Sequence, residues 1–135
     1  MAAWLVALTE EAWAALKGQQ LVLERFPFKV GRESRIGALG SRSAPERRLA
    51  TAPQLNDLYL LEPGERVNVS REHFAIEREG DRYYLIDRGS ACGTLVEGQR
   101  VGGDRAGGRT ELRDQDVIVV GTATSPFIFK FRSQR

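Results

Sequence analysis

Residues 73–87 read His-Phe-Ala-Ile-Glu-Arg-Glu-Gly-Asp-Arg-Tyr-Tyr-Leu-Ile-Asp, two strand-like runs on either side of Glu79-Gly80-Asp81. In the first run Phe74 and Ile76 alternate with Ala75 and Glu77. This period-2 pattern sends one set of side chains inward and the other toward solvent. Gly80 takes positive φ without a Cβ clash, so the segment predicts a tight β-hairpin.

Comparable runs lie at residues 21–23, 28–30, 58–61, 117–120 and 127–131, the last with Phe127, Phe129 and Phe131 alternating against Ile128 and Lys130. Short strands at this spacing predict an all-β sandwich or barrel. Gly102-Gly103-Asp104 and Gly107-Gly108 are expected in loops, and Ser125-Pro126 opens the last strand, where a missing amide donor does little harm. Near the N-terminus Thr9, Glu10 and Glu11 precede residues 12–17 and Gly18. That order predicts a short, N-capped helix ending at the glycine. Trp4 and Trp13 are expected to pack in the core.

At 135 residues the chain is long enough for one compact core and short for two, so a single domain over residues 1–135 is expected. Its hydrophobic content of 41% and charged content of 28% are those of an ordinary globular protein. A formal net charge of +2 gives little support to general nucleic-acid binding. The lone cysteine, Cys92, rules out an intramolecular disulfide and favours a reducing compartment. With one Cys and one His, the usual N/S metal-ligand set is missing. The apolar start, residues 2–8, lacks a basic flank and makes a poor signal peptide. No run approaches the ~20 apolar residues of a membrane span. A cytoplasmic protein without cofactor or metal, and with neither nucleic acid nor membrane as partner, is expected.

Three fragments carry the functional reading: Val30-Gly31-Arg32, Asn68-Val69-Ser70-Arg71-Glu72-His73 and Ser90-Ala91-Cys92-Gly93-Thr94. Together with Asn56-Asp57-Leu58, the turn at Glu97-Gly98 and the closing hairpin over residues 112–121, they resemble the signature of the forkhead-associated (FHA) domain family. The resemblance covers nearly the whole chain. It implies an FHA-like β-sandwich of two antiparallel sheets (the SMAD/FHA type) and a strand at residues 4–8 before the short helical segment. It also implies an interaction module that recognises phosphothreonine in a Ser/Thr-phosphorylated protein or peptide, within a Ser/Thr kinase pathway.

Phosphothreonine carries roughly −1.5 to −2 charges at neutral pH and three acceptor oxygens, so it calls for donors held in advance. Arg32 offers a guanidinium fork matched to two phosphate oxygens. Ser70 offers a hydroxyl, and Arg71 a second charge or a backbone amide. The resemblance makes these three the phosphate contacts and puts Cys92 and Gly93 against the peptide. It gives Gly31, His73 and Thr94 supporting roles, with His73 bracing the loop that carries Ser70. No nucleophile or acid pairs with His73 by motif, so no catalytic residue and no enzyme activity is expected.

Two departures stand out. Residue 92 is cysteine where the family has an asparagine that holds the ligand backbone, and residue 91 is alanine. A thiol is a weak donor and a methyl group none. The connection over residues 33–55 is also longer than usual and carries Arg35, Arg42, Arg47 and Arg48. It is expected to be a mobile loop, either a solvated insertion or a basic flap over the peptide site. The departures at 91 and 92 keep a second reading open: a phosphate-independent protein–protein scaffold of the same fold.

Overall fold

A computed structural model of the protein describes residues 1–33, 35–36, 44–45, 54–62 and 68–135. The chain begins with β1 (Ala2–Ala7), α1 (Glu10–Leu16), β2 (Gln20–Val22) and β3 (Phe28–Arg32). The two-residue strands β4 (Arg35–Ile36) and β5 (Ala44–Pro45) follow, then β6 (Leu58–Leu60), β7 (Phe74–Glu79) and β8 (Arg82–Asp87). It closes with β9 (Thr94–Val96), β10 (Gln99–Val101), β11 (Gly108–Leu112), β12 (Val117–Val120) and β13 (Ile128–Gln134).

Two sheets face each other. One has the order β10-β9-β12-β13-β1-β2, the other β11-β8-β7-β3-β6. Alternation fixes their inner faces: Leu5, Phe129, Phe131, Ile118 and Val120 from the first meet Val30, Leu60, Phe74, Ile76 and Leu85 from the second, all 1% exposed or less. The Tyr83 ring meets Phe131 across the gap at 5.3 Å between centroids. The expected hairpin is formed by β7 and β8, with Gly80 at φ 62°. All-β sandwich architecture with one short helix therefore holds.

Several details differ from expectation. The second sheet is mixed, because β3 and β6 run parallel with Val30 opposite Leu58 and Arg32 opposite Leu60. Parallel neighbours need a long crossover, and residues 33–57 supply it. Most of that connection, and with it the expected loop or flap carrying Arg42, Arg47 and Arg48, lies outside the described residues. The two short strands described within it, β4 and β5, pair antiparallel. Helix α1 is capped by the Thr9 hydroxyl, which accepts from Ala12 N–H at 3.2 Å. Its left-handed C-terminal residue is Lys17 (φ 58°) rather than Gly18. Gly108 is the first residue of β11 instead of loop. Ala75, on the outer face of β7, is nonetheless buried between Lys29 and Ile86 of the neighbouring strands. Trp13 is 51% exposed, since the buried face of α1 is Ala12 and Leu16. Trp4 is half-buried beneath the Arg132 guanidinium.

Candidate functional site

The end of β3, the segment 68–73 before β7 and the turn 88–93 between β8 and β9 are tied to one another by hydrogen bonds. Arg32 N–H donates to Ser70 O at 2.8 Å. Ala91 N–H donates to Ser70 Oγ at 3.0 Å. The imidazole of His73, fully buried, ties segment 68–73 to the 88–93 turn a second time: Nδ1 accepts from Ser70 N–H at 2.9 Å and Nε2 lies 2.7 Å from Gly93 O. Because Nδ1 accepts, the ring is neutral and Nε2–H donates to the Gly93 carbonyl. Burial lowers the His73 pKa from 6.5, against the opposing Gly93 hydrogen bond and the Asp87 and Glu62 charges.

The 88–93 turn is built around Asp87. Its carboxylate accepts from Gly89 N–H at 2.8 Å, from Ser90 N–H at 3.0 Å and from the Ser90 hydroxyl. Ser90 Oγ in turn accepts from Gly93 N–H at 3.0 Å. Gly93 has φ 79°, and a Cβ there would sit 3.0 Å from Gly102 O. The 102–107 loop leans on this turn, with Asp104 N–H donating to Ala91 O at 2.8 Å and Arg105 N–H to Ser90 O at 2.9 Å.

Gly31 is fixed by close approach. A Cβ would lie 2.0 Å from Arg71 O, which Asn56 Nδ2 holds at 2.8 Å. Glu62 anchors the start of the same loop, accepting from Asn68 N–H and Val69 N–H at 2.7–3.1 Å. Thr122 Oγ donates to Asn68 Oδ1 at 2.9 Å from the β12–β13 connection.

The fold thus brings Gly31, Arg32, Ser70, Arg71, His73, Cys92, Gly93 and Thr94 to one end of the sandwich. Arg32 is half-buried, and its guanidinium has no hydrogen-bond or ion-pair partner among the described residues. Arg71 is exposed and Cys92 half-buried. Thr94 is fully buried, with Oγ1 unpaired among the described residues, so it packs under the turn and does not face outward. Asn56, Glu62, Asp87 and Arg88 were missed as site residues. Asn56 at least stood in a recognised motif, whereas nothing in the sequence separates a half-buried Arg88 from a solvated one. No cluster of His, Cys, Asp and Glu among the described residues is arranged to hold a metal. Nor is any described helix long and apolar enough to cross a membrane.

Solved structures share this architecture at low identity. The FHA domain of CT664 from Chlamydia trachomatis superposes with a TM-score of 0.63 at 20% identity, covering 100% of both chains. Full-length yeast Pml1p gives 0.64 at 21%, covering 97% of this chain and 81% of its own. EmbR of Mycobacterium tuberculosis, in complex with a low-affinity phosphopeptide, gives 0.57 at 22%, covering 97% of this chain but 24% of its own. No match is found among curated proteins. The sequence model of the FHA domain family matches residues 47–121, more than half of the chain, taking in the segment from Asn56 through Ser70, His73 and the Ser90–Thr94 turn to Gly121. By that match, and by a sandwich of the same fold, the chain belongs to the FHA domain family.

Proposed function

We propose that the loop end of the sandwich binds a phosphothreonine-containing segment of a partner protein, as an interaction module in Ser/Thr kinase-linked signalling inside the cell. FHA domains are interaction modules, generally without enzymatic activity. One observation carries the reading: the half-buried Arg32 guanidinium, without a partner among the described residues, is tethered through its own backbone to Ser70. The Ser70 hydroxyl already accepts from Ala91 N–H, which leaves its proton to donate outward. A dianionic phosphate suits such a fork and hydroxyl, and the exposed Arg71 adds a second charge. Cys92 and Gly93 border the peptide.

Three charge-assisted hydrogen bonds give a gross gain of roughly 5–9 kcal/mol. Ordering the peptide opposes that gain, so micromolar affinity, about −8 kcal/mol, is the upper end. The test is titration with a degenerate phosphothreonine peptide library and its unphosphorylated twin. Phosphate-dependent binding that falls at least about tenfold in Arg32→Ala and in Ser70→Ala supports the reading. Equal binding of both libraries by folded protein sinks it.

The second reading, a phosphate-independent scaffold, is favoured by Ala91 and Cys92, which put a methyl group and a weak thiol donor in the turn facing the ligand. It predicts that phosphatase treatment leaves a bound partner in place.

A further inference from the structure

We propose that Arg88 is a positioning residue for the proposed phosphate loop, acting on the ligand only through Arg71. The inference rests on the phosphopeptide reading above.

The Arg88 side chain is 14% exposed, and its guanidinium reaches acceptors on separate segments. One end meets Val30 O at 3.5 Å and Asn56 Oδ1. The other meets Leu55 O and Glu72 Oε1, each at 3.0 Å. Asn56, buried at 2%, passes the hold onward by donating to Arg71 O at 2.8 Å. The residue after Arg71 is thus gripped by Arg88 directly, and the carbonyl of Arg71 through Asn56. Ser70 on the other flank is fixed by His73 and by Arg32 N–H. The backbone at residue 71 therefore has its direction set from both sides, and the side chain leaves the loop along a fixed line.

The guanidinium is suited to this task because its planar fork donates from both ends at once. Lysine, a point donor on a flexible stem, can hold Asn56 or Glu72 but cannot span both ends with the same geometry. Gly31 completes the device, since only its missing Cβ lets Arg71 O lie where Asn56 reaches it.

A double-mutant cycle separates positioning from general destabilisation. Wild type, Arg88→Met, Arg71→Ala and the double variant are titrated with one phosphothreonine peptide and its unphosphorylated twin, after thermal melts show each to be folded. Positioning predicts that Arg88→Met weakens phosphopeptide binding by roughly tenfold when Arg71 is present and by less than about twofold when it is alanine. Arg88→Lys, the milder variant, should lose about threefold with the same dependence on Arg71. In the free protein, the backbone amide resonances of residues 71 and 72 should shift in Arg88→Met. Equal losses in both Arg71 backgrounds, or unmoved amides at residues 71 and 72, would overturn the inference. Indifference of wild type to the phosphate would instead remove the functional reading on which it rests.

Discussion

At Gly31 the missing side chain does the work. The nearest atom to a notional Cβ is a backbone carbonyl, so Gly31→Ala must push the 70–72 loop away or shift β3 itself. Overpacking of this kind costs about 1–3 kcal/mol, and here the strain falls on the residues proposed to meet phosphate. Gly31→Ala should lower the denaturation midpoint and weaken phosphopeptide binding together; a stable variant with unchanged affinity would contradict this. His73 supplies a pH signature. Its folded pKa lies below the 6.5 of the unfolded chain, so as pH falls the unfolded state takes up the proton first. Stability is then complete above about pH 6.5 and declines as pH drops from there toward the folded value, with a slope of up to about 1.4 kcal/mol per pH unit. Protonation of Nδ1 also removes the acceptor for Ser70 N–H. Urea midpoints measured from pH 7.5 to 5.5 should fall in wild type and run flatter in His73→Gln.

At the scale of elements, the β9–β10 hairpin explains a residue that looks wrong in sequence. Glu97 and Gly98 both have positive φ, 50° and 80°, where asparagine-glycine is the usual choice. The compensation is tertiary: Glu97 Oε2 accepts from Val117 N–H at 2.7 Å, on the neighbouring side of the sheet. Glu97→Ala keeps the backbone strain and loses a bond to a charged acceptor, a cost of about 1.5 kcal/mol. Glu97→Asn loses the same bond but relieves part of the strain, so it should be the milder of the two. Thermal melts of the pair check that order. Helix α1 shows a similar division, because the Thr9 cap is a local device while its hydroxyl also donates to Pro126 O, far along the chain.

For the whole molecule, stability comes from the two inner faces. Phe131 lies at their centre, opposite Leu5 on β1 and against the Tyr83 ring. Phe131→Ala should cost about 3–5 kcal/mol in chemical denaturation. Both of these neighbours lie outside the 68–73 and 88–93 segments, so phosphopeptide affinity, measured where the variant is still folded, should change by less than about twofold, as expected for independent sites.

Local chemistry determined what the sequence alone could determine. The 73–87 hairpin, the Phe127–Phe129–Phe131 alternation and the Thr9 cap each depend on residues within a few positions of one another, where side-chain period and turn stereochemistry decide the outcome. The ordered motifs around Arg32, Ser70 and Ser90 marked the candidate site through their resemblance to the FHA signature. Tertiary structure decided the rest. The parallel β3–β6 pairing depends on a crossover whose path no local pattern encodes. Ala75 is buried by the strands on either side of it, and Trp13 is exposed because α1 turns its Ala12 and Leu16 face inward. Arg88 became part of the site only when Leu55, Asn56 and Glu72 were folded around it, since the exposure of an arginine depends on which distant acceptors the fold delivers.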